Sequence, residues 1–188
     1  MWESLLKLFR IPDLKRRVIF TLLMLVVFRV GSHIPVPGID PQALANVFSR
    51  GGLLNFLDMF AGGALSRFSI LALGIMPYIN ASIIIQLLTS VIPKLEELAK
   101  SGEEGRDKIA QYTRWGTILL AVVQGFGITT WIESMGVVFT PGIPYRITVI
   151  LTLTAGSMFL MWLGELISDY GIGNGISLII FAGIVARI

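Results

Sequence analysis

The sequence predicts an all-α polytopic membrane protein, and three observations carry that prediction. Of its 188 residues 54% are hydrophobic and only 14% charged, and the mean hydropathy is +0.79. That is more apolar surface than a soluble domain of this length can hide. Apolar runs recur at 18–34, 68–92, 115–132, 147–164 and 176–188. A helix crosses the hydrocarbon core with about 20 residues, so the first four are spans and the last is the start of one. Between the runs lysine and arginine alternate, with five in 1–17, two in 35–67, five in 93–114 and one in 133–146.

The alternation puts the N-terminus in the cytoplasm, because loops rich in Lys and Arg stay inside. Residues 1–17 and 93–114 are then cytoplasmic and 35–67 and 133–146 external. Loop 165–175 carries neither Lys nor Arg and is assigned to the cytoplasm by alternation alone.

Taken in order, residues 1–14 place Trp2, Leu5, Leu6 and Phe9 on one face and break at Pro12. An amphipathic helix lying on the inner membrane surface is expected, with a frayed tail as the plain alternative. No A-x-A-like site follows span 18–34, so it is not a cleaved signal peptide. Arg29 and His33 lie near its outer end, where a charged side chain can reach water. The external segment opens on PVPGIDP (35–41), rigid because prolines fix φ. Then comes GGLLNFLDMFAGGALSR (51–67), with Leu53, Leu54, Phe56, Leu57, Met59 and Phe60 before the hinge Gly62–Gly63. Its helical part of about ten residues reaches roughly 15 Å, half a hydrocarbon core. A re-entrant helix filling a cavity fits this run; a helix lying flat outside is the alternative. Loop 93–114 is aqueous, with LEELAK helical and SGEEG turning the chain.

Several function classes are disfavoured. The chain has no cysteine and one histidine, so disulfides, a thiol nucleophile and a metal cluster are not expected. The net charge of +3 and pI near 9.4 follow from the topology-setting loops rather than from a nucleic-acid partner. Glu133, Glu165 and Asp169 stand near span ends and form no buried carboxylate pair. GIGNGIS (171–177) has the glycines of a dinucleotide loop but follows a membrane span rather than a strand. No catalytic residue and no cofactor are expected, and the protein is read as non-enzymatic.

The stretch GIMPYINASIIIQ (74–86) is unusual for a span. Ile75, Ile79 and Ile83 are four apart and share a helical face. Pro77 invites a bend, and Asn80 is an amide with no charged neighbour. Gln124 is the amide nearest the middle of span 115–132, and the two could meet across a helix pair. Such contacts contribute only about 0.6 kcal/mol in membranes. Ile176 and Ile180 repeat the spacing. Two isoleucine faces could ring a hydrophobic constriction, although lipid-facing or packing isoleucines are the commoner case.

The stretches IPVPGID (34–40), FAGGALSRFSILALGIMPYINASIIIQLL (60–88), GEEGRDKIAQYTR (102–114) and MFLMWLGELISDYGIGNGISLIIFAGIVAR (158–187) together resemble the SecY family, the central subunit of bacterial protein-conducting channels. The resemblance covers essentially the whole chain, as the N-terminal half of the family. ELISDYG (165–171) departs from the family's usual E-x-I-T-E-like run. The family has ten spans in two inverted halves, so the resemblance implies the first five-span half of a ten-span inverted-repeat channel, with 176–188 beginning span five.

The resemblance also implies roles. Ile75, Ile79, Ile176 and Ile180 would belong to the pore ring, and residues 53–66 would be the plug that fills the external funnel. Spans 68–92 and 115–132 would form one side of the lateral gate, with Asn80 and Gln124 as its polar residues. The chain would pass unfolded polypeptides across the bacterial inner membrane and release hydrophobic segments laterally into lipid. Implied partners are SecE and SecG, the SecA ATPase or a ribosome on the cytoplasmic side, signal peptides, translocating chains, the lipid bilayer and the C-terminal half of the channel. Half of a secondary transporter and a non-conducting assembly scaffold are the alternatives; a transporter would want a carboxylate at mid-membrane.

The topology is checked in this cysteine-free chain by a single Glu103→Cys substitution. Impermeant thiol reagents should fail to label it from outside intact cells, and labelling from outside would invert the assignment.

Overall fold

The structure is a computed structural model that describes residues 12–49, 58 and 63–185. Among these residues it has seven helices: α1 (Pro12–Gly31), α2 (Pro41–Ser49), α3 (Met76–Val91), α4 (Pro93–Lys100), α5 (Glu103–Ser134), α6 (Ile143–Tyr170) and α7 (Gly175–Val185). Five of the seven have proline as their first or second residue. Proline is at home there, since the first-turn amides have no partner within the helix and its φ is already helical.

Pro77 therefore starts α3 instead of bending it in the middle. The helix begins at Met76, well inside the apolar run 68–92, and Ile75 precedes it as the N-cap. Ile92 is extended (φ −97°, ψ 112°) before Pro93, and α3 and α4 meet there at 103°, because a residue before proline is driven out of the helical region.

Helices α5 and α6, of 32 and 28 residues, form an antiparallel hairpin. Every fourth residue of α5 from Thr113 to Thr129 is buried, and all are small: Thr113, Thr117, Ala121, Gly125 and Thr129. Small residues let membrane helices approach closely, and a Cβ on Gly125 would sit 3.7 Å from the Ile150 Cα. The three threonine hydroxyls donate to carbonyls one turn back, at Ile109, Thr113 and Gly125. The stripe thus leaves no hydroxyl unbonded away from water.

Two ion pairs bracket this hairpin. At one end Arg114 binds Glu165 through two hydrogen bonds of 3.0 Å. At the other, Arg146 Nε donates to Glu133 at 2.6 Å, and the Glu133 side chain is 8% exposed. Arg114 to Glu133 and Arg146 to Glu165 are both 19 residues apart, so both helices keep one register. At 1.5 Å per residue that separation is about 28 Å, the thickness of a hydrocarbon core of about 30 Å. No Asp, Glu, Lys or Arg lies between the pairs on either helix. Exposed Tyr112, Trp115, Trp162 and Tyr170 cluster toward the Arg114–Glu165 end, where aromatic rings favour the membrane interface.

The loops gather at the same two levels. Residues 38–40 meet 137–139, with the Asp40 amide donating to the Val137 carbonyl (2.9 Å) and the Phe139 amide to Gly38 (3.1 Å). At the opposite end the Arg17 guanidinium reaches the Gly171 carbonyl.

Residues 63–75 are not helical, yet most are buried, with Ala64, Phe68 and Ser69 wholly so. Non-helical backbone survives at membrane depth only when protein satisfies it. Here the Val36 amide donates to Phe68 and the Ile70 amide to Ile34, both at 2.9 Å, while tight turns join Ser69 to Ala64 and Gly74 to Leu71. Phe68 is held at φ +44°, a conformation costly for a bulky side chain. The segment presses on α6 at Gly156, where a Cβ would fall 1.9 Å from the Ile70 carbonyl oxygen.

Gly156→Ala should therefore be strongly destabilising, by about 1–3 kcal/mol or more as overpacking against backbone. Gly127→Ala has open space and should be neutral or gain up to about 1 kcal/mol from helix propensity. Unfolding in detergent micelles measures both, and the reverse ranking would refute the close approach.

Candidate functional site

The predicted site residues are apolar, so their geometry is one of packing and depth. Ile75 is 5% exposed and belongs to the main apolar cluster, while Ile79, Ile176 and Ile180 are partly buried and pack against that cluster. Ile75 is not on the helix, as its spacing suggested. It is joined to it by its carbonyl, which accepts the Ile79 amide at 3.1 Å. Ile83, the third member of the stripe, is 50% exposed and leaves the cluster.

Ile176 lies against α6, since a Cβ on Gly164 would meet its Cγ1 at 2.9 Å. Gly175 sits on the Gly164 carbonyl, which fixes α7 antiparallel to α6 and sets Ile180 near the level of residue 159. Ala81 faces Gly116 at 3.5 Å from a built Cβ, which sets Ile79 near the level of residue 118. Both couples thus lie between the two ion-pair levels. Helix α6 touches both α3 and α7, so it bridges the couples.

The same register separates the two amides. Asn80 is level with residue 117, about seven residues or on the order of 10 Å from Gln124. Both are partly buried, and they form no hydrogen bond with each other. The cross-helix pair that the sequence suggested is absent because the α3–α5 register is set by Ala81 and Gly116 instead.

Of the residues expected to form a plug and its hinge, Leu53, Leu54, Phe56, Leu57, Met59, Phe60 and Gly62 lie outside the described residues. Gly63 has φ +79°, the left-handed conformation that glycine alone adopts at low cost.

Sequence reasoning missed Asp58. It is fully buried, its carboxylate accepts the Ser66 amide at 2.8 Å, and its carbonyl accepts the Gly63 amide at 3.0 Å. A lone acid inside the apolar run NFLDMF was the available signal. Thr21 and Ser168 were missed as well. Their hydroxyls bind the backbone of the α6–α7 turn, and nothing in the sequence marks a threonine on a span as a partner for a turn 150 residues away.

Among the described residues no group of His, Asp and Glu could hold a metal ion. The arrangement supplies a buried non-helical segment, two isoleucine couples and small-residue helix contacts.

Residues 69–188 match the SecY family model. Protein translocase subunit SecY of Escherichia coli K12 is 57% identical over 180 residues, covering 93% of this chain and 41% of its own length. That of Halalkalibacterium halodurans is 52% identical over 191 residues, covering all of this chain and 44% of its own. The chain therefore spans less than half the length of these relatives. Among solved structures, a protein-conducting channel superposes with TM-score 0.68 at 24% identity, over 92% of this chain and 36% of that one. A SecY structure, described as having a plug domain that stabilises the closed channel and maintains a membrane seal, matches at TM-score 0.63, 25% identity and the same coverages.

Proposed function

The chain belongs to the SecY family, and we propose that it forms the N-terminal half of a protein-conducting channel, passing unfolded polypeptides across a bacterial inner membrane with its N-terminus in the cytoplasm. One observation carries the reading: both isoleucine couples, Ile75 with Ile79 and Ile176 with Ile180, pack on one apolar cluster between the two ion-pair levels. Apolar groups at that depth exclude water from a narrow passage. Branched side chains around a passing chain seal against any sequence without binding it.

The other roles follow from the same reading. Residues 53–66 are the plug, hinged at Gly62–Gly63. Helices α3 and α5 are one wall of the lateral gate, through which hydrophobic segments leave for lipid. The close Ala81–Gly116 contact supports a wall that moves as one piece, and Asn80 and Gln124 tune its opening separately, being at different depths. The remaining ring members come from the C-terminal half. SecE and SecG complete the complex, and SecA or a ribosome docks on the cytoplasmic side and supplies the drive. A transporter half is disfavoured because no carboxylate stands between the ion pairs on α5 and α6.

In the full-length channel, replacing all four isoleucines with Ser should wet the constriction and raise resting ion leak about tenfold or more. Replacement with Val or Leu should be mild, since apolar volume is largely kept. A four-Ser channel as tight as wild type would remove these residues from the seal.

Asn80→Leu and Gln124→Leu should each alter export of weakly hydrophobic signal peptides. A change of about 1.4 kcal/mol between closed and open states is already tenfold in population. The two effects should add in the double variant, because the sites are far apart; wild-type export of both strong and weak signals would reduce the amides to packing.

A further inference from the structure

The turn that joins α6 to α7 is held from outside by the first helix. The Arg17 guanidinium donates to the Gly171 carbonyl at 3.3 Å. The Thr21 hydroxyl accepts the Ile172 amide at 3.1 Å and donates to the Arg17 carbonyl at 2.9 Å. Thr21 is 8% exposed, and a Cβ on Gly171 would fall 2.5 Å from its Oγ1. Ser168 grips from the α6 side, accepting the Gly175 amide at 2.9 Å and donating to the Gly164 carbonyl at 3.0 Å. Asn174 closes the group by accepting the Ser177 amide at 3.0 Å.

Beyond these bonds α7 rests on α6 through glycine. A Cβ on Gly175 would lie 2.0 Å from the Gly164 carbonyl oxygen, so backbone meets backbone there. Ile176 and Ile179 fill the groove that Gly164 leaves on α6, at 2.9 Å and 3.6 Å from a Cβ built there, as ridges seat in grooves. The rotation of α7 about its own axis is therefore set by the seating of Ile176 and Ile179 together with the hydrogen bonds that anchor its first turn. Rotation matters because Ile179 is 2% exposed while its neighbour Ile180 is only partly buried. One residue is about 100° of helix, so turning α7 by less than a third of a turn exchanges which isoleucine faces which side.

We propose that Thr21, together with Ser168, is a positioning residue for the channel seal: by holding the α6–α7 turn it sets the rotation of α7 and hence the facing of Ile176 and Ile180. Span one thereby acts on the seal through the Thr21 hydroxyl, with Ser168 holding the same turn from α6, and neither touches a translocating chain. This rests on the reading of Ile176 and Ile180 as seal residues.

The test uses the full-length channel in its complex, reconstituted in vesicles. Thr21→Val keeps the shape and removes the hydroxyl. It should raise resting ion leak about fivefold, the population shift that loss of one net hydrogen bond allows. Crosslinks to a stalled polypeptide, formed from single cysteines on α7, should spread from position 180 to position 179. Thr21→Ser should restore both, and Ser168→Ala should act in the same direction, so it carries the test if Thr21→Val does not accumulate. Wild-type leak and crosslinks confined to 180 in both variants, in a channel whose four-Ser variant does leak, overturn the latch and leave the seal intact. A leak that Thr21→Ser does not reverse also overturns it. A four-Ser variant that stays tight overturns the seal and the latch together.

Discussion

Between the two ion pairs of the α5–α6 hairpin there is no water for the backbone, and the rest of the structure answers to that. Every amide and carbonyl in that slab must find its partner inside the protein. Helix α5 meets the condition by ordinary helical bonding, and its buried threonines turn their hydroxyls back onto the preceding turn. The ion pairs themselves stand where water begins again. Their equal spacing on both helices means the hairpin carries its own measure of membrane thickness.

Residues 63–75 meet the same condition without a helix. Their amides and carbonyls close tight turns among themselves, and the chain at 34–36 lies alongside as a short partner. Gly156 lets α6 cover them without a side chain in the way. A strained Phe68 is tolerated because the surrounding packing determines it. Family membership and the proposed role give this arrangement a purpose, since a passage for polypeptides needs backbone that can stop short of crossing the bilayer.

Much of this was legible in the sequence. Hydropathy located α5 and α6, and the charge clusters matched the levels at which Arg17 and Arg114 emerge. The spacing of Ile176 and Ile180 and of Ile75 and Ile79 marked the residues that join one cluster. The start of α3 was not legible, because the buried turns before it are as apolar as the helix that follows. Only Gly74 and Pro77 hinted at the boundary, and a proline in a span reads equally as a kink. The Asn80–Gln124 separation depends on inter-helix register, which a single sequence does not encode in any local pattern. Thr21 was hidden for a related reason, since it is defined by a backbone amide elsewhere in the fold, whereas Asp58 stood out as a lone acid in an apolar run.

The Glu133–Arg146 ion pair has a consequence for biogenesis on the proposed topology. Residues 134–145, the stretch from α5 to α6 that this topology carries to the far side, contain no charged residue. Its two flanking charges, Glu133 and Arg146, are opposite in sign and bonded to each other. A hairpin that crosses with this pair already formed moves a dipole through the hydrocarbon, which costs far less than two separate ions. On that topology the α5–α6 hairpin can enter the bilayer as one neutral package.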